Sequence, residues 1–166
     1  MTIRDATADD IPAILPLVRK VAAFMQDRDP HKYTIEGDVG ERYRNWLGGQ
    51  IASGRSAILI ADAAGRDDPP AIVGMLIGTV DREIPIYRLK EYGFINDLWV
   101  DETYRNEGVA RQLVTEAIER FTRLGVEQIR LDVLLTNEPA RKLFETCGFR
   151  PSVMEMLLPI EPVPST

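Results

Sequence analysis

The stretch that most constrains this chain is Phe94-Ile95-Asn96-Asp97-Leu98-Trp99-Val100, together with the turn and helix that follow it. The seven residues read as a buried strand. Asp101 to Arg111 form a polar turn with an Arg-x-x-Gly-x-Ala core, made by Arg105, Gly108 and Ala110. An apolar face then recurs at three-to-four spacing through Leu113, Val114, Ala117, Ile118, Phe121 and Leu124, which is a helix period. A strand that enters a helix through a glycine turn presents several free N–H groups at the positive end of the helix dipole, and so favours an anion. Gly108 and Ala110 keep the side chains small where backbone must approach a ligand, and Arg105 and Arg111 flank them. That combination suits a pyrophosphate. The alternative nucleotide signatures are missing: no Gly-x-Gly-x-x-Gly follows a strand, and no Gly-Lys-Ser/Thr loop occurs.

The rest of the chain is organised around this unit. Thr2 to Ala6 reads as a first strand. Thr7 or Asp9 caps a helix with Pro12 in its first turn and an apolar stripe of Ile11, Ile14, Leu15, Val18, Val21, Ala22 and Met25. A polar loop from Asp27 to Thr34 carries Pro30 and His31. Ile35 to Ile51 reads as a second helix, ended by Gly48-Gly49 or extended to Gly54. Ser56–Asp62 and Ala71–Val80 read as an antiparallel hairpin around the turn Ala63–Pro70, with Gly74 and Gly78 marking bulges or close backbone approach. Arg82 to Tyr92 is a connection, and Val126 to Leu135 a strand. Asn137 caps a fourth helix with Pro139 in its first turn and Ala140, Leu143, Phe144 and Cys147 on its buried face. Phe149–Val153 and Met154–Leu158 read as one or two final strands, followed by a proline-rich tail. The order β-α-α-β-β-β-α-β-α-β predicts an α/β fold, with a central mixed, mostly antiparallel sheet and helices on both faces. Residues 1–159 form a single domain in this reading and 160–166 an irregular tail.

Composition narrows the function. With 166 residues the chain is long enough for one well-filled core. No apolar run approaches the ~20 residues that span a bilayer, and the polar N-terminus does not read as a signal peptide, so no membrane role is expected. A single cysteine forbids an internal disulfide and points to a reducing, cytoplasmic setting. One His and one Cys leave no basis for a structural zinc site or any expected metal. The net charge of −6 disfavours nucleic acid and suits a cationic partner.

The segment from Asn96 to Leu113 resembles the acyl-CoA-binding motif of the GNAT superfamily of N-acetyltransferases, whose Arg/Gln-x-x-Gly-x-Gly/Ala core is complete here. Asn137 to Phe149 resembles the second motif of that family, an Asn followed by Ala, a Leu-aromatic pair and Gly-Phe. The order of elements is similar along almost the whole chain. The resemblance implies an acetyl-CoA-dependent N-acetyltransferase in which an amine attacks the thioester directly. It implies that backbone N–H groups from Arg105, Asn106, Glu107, Gly108, Val109, Ala110 and Arg111 hold the CoA pyrophosphate. Backbone of Leu98, Trp99 and Val100 would pair with the pantetheine amides like an added strand, and the strand from Val126 would splay away to admit the thioester. Asn137 would reach the pantetheine arm, with Ala140 and Phe144 packed beside it. Asn137 also reads as a plain N-cap, and the two roles are compatible.

The sequence departs from the family pattern where protons must move. Phe144 stands where many relatives place a Tyr as acid for the thiolate. Asn96 stands where some polyamine-type relatives place a Glu as base. Asp97 is the nearest carboxylate and the candidate base, but strict alternation puts it on the face opposite Asn96 and Leu98. A structural hydrogen-bonding role is the alternative reading for Asp97. Glu83 and Glu91 are further candidates, Cys147 reads as core, and His31 as a surface group in a loop that often lines the acceptor side in the family. The acceptor side would be built from residues 27–36 and 82–92, including Tyr87 and Tyr92. The expected acceptor is a small cationic amine, with a protein amine as the other possibility. A fold that binds acyl-CoA as a sensor without turnover is the alternative to an enzyme. The apolar run Val153–Leu158 suggests a homodimer edge.

Overall fold

The computed structural model describes residues 1–63, 65 and 71–160. Five strands form one sheet in the order β1 (Thr2–Asp5), β2 (Ser56–Asp62), β3 (Ile72–Arg82), β4 (Glu91–Val100) and β5 (Ile129–Leu131). Each of the first four is antiparallel to its neighbour, and β5 runs parallel to β4. The parallel step needs a crossover, which α3 (Val109–Arg123) supplies. Two helices, α1 (Ile11–Arg28) and α2 (Val39–Ser53), intervene between β1 and β2, and α4 (Glu138–Thr146) follows β5.

The sheet is buried on both faces, and β2 shows why its sequence is uninterruptedly apolar. Ile58 and Ile60 pack with Ile14, Leu15, Val18, Leu47, Met75 and Ile77 under α1 and α2. Ala57, Leu59 and Ala61 pack with Leu76, Leu113, Val114, Ala117, Phe121 and Phe144 under α3 and α4. A strand covered on both faces has no polar side to show. Phe121 lies flat on the sheet because two positions beneath it lack a Cβ: one built on Gly78 or on Gly93 would stand 2.8 Å from its ring. Arg4 ties β1 to both neighbours, bonding Asp62 at 2.6 Å and Asp10 at 2.9 Å, and these bonds hold the Asp10 carboxyl well below the ordinary range.

Several expectations needed correction. The second helix starts at Val39, not Ile35, because Asp38 supplies the N-cap by accepting from the Gly40 N–H at 2.8 Å. It runs through Gly48-Gly49 and stops at Gly54, which has φ +64°. The strand expected over Val126–Leu135 shrinks to Ile129–Leu131. The final strands expected at Phe149–Val153 and Met154–Leu158 do not form: the chain from Phe149 to Ile160 carries no regular structure, and Val153, Met156 and Leu158 stand more than 80% exposed. Strand-like composition there has no sheet neighbour to act on, and β propensity is expressed only through packing. Of the turn expected at Ala63–Pro70, Ala64 and residues 66–70 lie outside the described residues.

Candidate active site

The site is built from β4 outward. Its register with β3 shifts between Ile77 and Gly78: Ile77 stands opposite Asp97 and Gly78 opposite Ile95, so Asn96 is the extra residue of a bulge. Above the bulge, the Asp101 N–H donates to Val73 O at 2.8 Å. Antiparallel parity then turns the N–H and C=O of Asp97 and Trp99 toward β3, and those of Leu98 and Val100 away from it. On that far side β5 has already left. Its ladder covers Gly93, Phe94 and Ile95 and ends at the Ile95–Leu131 pair. Leu98 and Val100 therefore have no strand neighbour on that side, a gap in the sheet where the two strands part, as expected for this strand pair.

The gap leads to the turn. Asn106 and Gly108 both take left-handed backbone, at φ +65° and +81°, and Gly108 is the N-cap of α3. Among the described residues, the N–H groups of Asn106 through Arg111 make no hydrogen bond to the chain, and the first helical bond is Gln112 N–H to Gly108 O at 3.0 Å. A Cβ built on Gly108 would meet nothing within 4 Å, so this glycine is required by its left-handed conformation, not by a neighbour. The cradle thus fits the anion that the sequence predicts. The Arg105 N–H, expected among the pyrophosphate donors, donates instead to Glu102 O at 3.2 Å, and the half-exposed side chain of Arg105 folds back on the strand. Its Nε donates to Val100 O at 3.0 Å, and its guanidinium lies 4.9 Å from the Trp99 ring centroid. Trp99 Nε1 in turn donates to Asp101 at 3.1 Å, and Asp101 accepts from Lys20 of α1. The turn is braced to α1 through this chain of contacts.

Asn137 caps α4, accepting from the Ala140 N–H at 3.3 Å. Phe144 is buried on the α3 side with Ala140 and Leu143, its ring edge-on to Phe149 at 5.6 Å. Arg111 and α4 are adjacent at Thr146.

Asp97 lies on the other face of the sheet. It is 8% exposed, and its Oδ2 accepts from the Tyr43 hydroxyl of α2 at 3.0 Å. Burial pushes its carboxyl up to about 6, against the opposing pull of the Tyr43 hydroxyl. The bulge also brings Asn96 to this face, where its amide meets Thr79 at 3.1 Å and Thr79 meets Asp81 at 2.9 Å. Strict alternation had separated Asn96 from Asp97, and the extra residue cancels that separation. The other candidates are engaged elsewhere. Glu83 is paired with Arg130 at 2.6 Å, and the Ile84 N–H together with that pairing holds its carboxyl below the usual range. Glu91 is paired with Arg55 at 2.6 Å. Tyr92 lies under the Arg130 guanidinium at 3.9 Å, Tyr87 and His31 are exposed, and Cys147 is half-buried at the end of α4. Tyr43 and Thr79 were not anticipated. The available signal was Tyr43 at the helical spacing of Trp46 and Leu47, an inward position at which a phenol needs a partner.

A β4 that bulges and then parts from β5, aimed at a glycine cradle opening α3, is the frame in which the likeness to known proteins falls. Residues 21–149 match the Acetyltransferase (GNAT) family. The chain belongs to that family. Among curated relatives it is similar to N-alpha-acetyltransferase 30 of Saccharomyces cerevisiae, 27% identical over 119 residues, covering 71% of this chain and 66% of that protein. The chain spans less than two thirds of the length of the relatives that carry this name. An uncharacterized N-acetyltransferase of Archaeoglobus fulgidus is 26% identical over 153 residues, covering 90% of this chain and 93% of the relative. Among solved structures, a mutant of the BH1408 protein of Bacillus halodurans shares the fold at a TM-score of 0.79 and 23% identity, covering 97% of this chain and 100% of that one. No helix among the described residues is long and apolar enough to cross a membrane.

Proposed function

We propose that this GNAT protein is an acetyl-CoA-dependent N-acetyltransferase acting by direct attack of an amine on the thioester. The observation that carries the reading is the gap beside Leu98 and Val100, which runs from the bulge to the free N–H groups of Asn106–Arg111. A pantetheine arm pairs with Leu98 and Val100 as a short added strand, and its pyrophosphate takes the N–H groups at the start of α3. Trp99 serves this rail through its side chain, which supports Arg105. Asn137, Ala140 and Phe144 close the far wall.

The thioester supplies an activated acetyl group, and the chain supplies position and polarity. A backbone N–H of the Leu98–Val100 segment polarises the carbonyl. An amine near pKa ~10 is mostly protonated at neutral pH, so it must first lose a proton, for which Asp97 is the acceptor. The nitrogen lone pair then forms the C–N bond. The C–S bond breaks with its electrons on sulfur, and the second amine proton ends on the thiol. Phe144 cannot donate that proton, so it travels through water.

The acceptor is a small cationic amine. Support comes from the net charge of −6 and from Asp81 and Asp97 on the acceptor face of β3 and β4. A peptide α-amine is the second reading, favoured by the name of the yeast relative. The test is thiol release from acetyl-CoA with a panel of polyamines, aminoglycosides and short peptides with free N-termini, alongside calorimetry of CoA binding. Release with one acceptor class identifies it. CoA binding without release from any amine turns the reading into a sensor of acyl-CoA, and absence of CoA binding removes both.

A further inference from the structure

Of everything on the acceptor face, the Asp97–Tyr43 pair is the feature that neither family motif accounts for. Asp97 stands in the bulge of β4, and Tyr43 comes from α2, 54 positions earlier in the chain. Only one carboxylate oxygen is engaged. Among the described residues no fully buried side-chain oxygen or nitrogen lacks a partner, and Oδ1 of Asp97 has no hydrogen-bond partner among those residues, so Oδ1 retains contact with accessible space. One oxygen is pinned inside and the other open, which is the arrangement a proton acceptor needs.

The surroundings isolate this pair from other charges. On β3, Ile77 lies directly opposite Asp97, and the carboxylate of Asp81 accepts from the Thr79 hydroxyl. On α1, Lys20 is paired with Asp101, and Arg28 lies over the Phe24 ring at 5.0 Å. On α2, Arg44 pairs with Glu41, and Trp46 packs edge-on against Tyr43 at 5.2 Å. On β5, Arg130 is taken by Glu83. Burial and the bond to Asp97 drive the Tyr43 phenol well above its ordinary range, so it stays a hydrogen-bond donor at every working pH.

We infer that Tyr43 is a positioning residue for the Asp97 carboxylate: its hydroxyl fixes Oδ2 and thereby aims Oδ1 at the amine whose proton Asp97 accepts. The role rests on Asp97 being the base of the proposed transferase. In the step concerned, an ammonium N–H bond breaks, the proton passes to Oδ1, and the freed lone pair stays on nitrogen for attack on the thioester. Because the phenol donates to the ionised form, it also keeps Asp97 able to shed that proton near neutral pH.

The test is Tyr43→Phe, which keeps the ring against Trp46 and removes only the hydroxyl. The Asp97 carboxyl is titrated by carbon NMR in both proteins, a readout independent of turnover. The expected result is titration near pH 6 in the native chain and about one unit higher in the variant. The acid limb of kcat/KM moves by the same amount. Activity then falls about five- to tenfold below pH 6 and converges above pH 8, with KM for acetyl-CoA unchanged. In an Asp97→Asn background Tyr43→Phe has no further effect on rate, and this background also removes the buried charge if the single variant folds poorly. An Asp97 titration unmoved by Tyr43→Phe, or losses that multiply in the double variant, overturns the proposal. An Asp97→Asn enzyme with the native rate instead overturns the base assignment, whatever the titration shows.

Discussion

The turn end of β4 and the bulge in its middle, the two ends of the site, do opposite kinds of work. Beyond Val100 the chemistry belongs to the backbone: left-handed turns at Asn106 and Gly108, free N–H groups, and small side chains that keep out of the way. At the bulge, three residues from Val100, it belongs to side chains: a buried carboxylate, the phenol that holds it, and an amide on a threonine. A backbone site constrains its own sequence, since left-handed backbone selects Gly108 and close approach favours a small residue such as Ala110, and it is therefore written locally. A side-chain site is assembled from β3, β4 and α2, and no short stretch announces it. The comparison predicts that damage at one end leaves the other end's function intact.

The largest effect is expected at Asp97. Asp97→Asn should lower kcat/KM for the acetyl transfer by ~10²–10⁴ while leaving the affinity for CoA within about twofold by calorimetry. It should also stabilise the fold. The carboxyl moves from 3.8 to about 6 on folding, and each unit is worth about 1.4 kcal/mol. A raised carboxyl binds its proton more tightly in the native state, so stability from this group is present below about pH 4 and is lost as pH rises through 6. The substitution should therefore gain up to about 3 kcal/mol in denaturant unfolding at pH 8 and almost nothing at pH 4. Weaker CoA binding in this variant would break the separation between the two ends.

Next in size is Gly108→Val, which acts on the other end. Its Cβ has open space, so no neighbour is struck, but the left-handed conformation costs a non-glycine residue about 1–2 kcal/mol. If α3 opens in the same conformation, stability falls by that amount. If the turn relaxes instead, the N–H groups leave their alignment and CoA affinity falls roughly tenfold or more, since about 1.4 kcal/mol is a factor of ten. In both cases the Asp97 titration stays where it was. A moved titration would mean that the two ends are coupled through β4.

Glycines beneath Phe121 give a control that belongs to neither end. Gly78→Ala or Gly93→Ala would drive a methyl to 2.8 Å from that ring, and overpacking of this kind costs roughly 1–3 kcal/mol. Thermal unfolding should show the loss, with CoA affinity and pH profile unchanged in the folded fraction.

What could be read in the sequence follows the same division. The register of helical stripes was legible because one-sided burial imposes a period, and the length of β2 because burial on both faces leaves an unbroken apolar run. The glycine turn was legible because φ above zero and close approach select a residue type. The Asn96 bulge was not, since a broken alternation such as Ile95 and Leu98 on one face reads equally as a strand buried on both sides; the extra residue is fixed only by pairing with Ile77 and Gly78. Tyr43 was missed because an aromatic at helical spacing reads equally as core. The final strands were over-read for a related reason. Val153 to Leu158 has the composition of a strand, but composition does not say whether a neighbour is there to pair with.

The smallest effect separates the two readings of Asn137. As N-cap of α4 it accepts from the Ala140 N–H at 3.3 Å, a bond whose loss in Asn137→Ala should cost ~1 kcal/mol. Ser is as good a cap, but its hydroxyl does not extend as far as the carboxamide and offers no NH₂ donor. Asn137→Ser should thus restore the stability lost in the alanine variant. If capping is all that Asn137 does, CoA affinity returns with it. If the carboxamide also bonds the pantetheine arm, stability recovers and affinity does not, leaving a deficit of about 0.5–1.5 kcal/mol for one hydrogen bond, or roughly two- to tenfold in Kd. Chemical denaturation and calorimetry on the same three proteins distinguish the outcomes, and the second would place a side-chain contact on the end of the site that otherwise works through backbone.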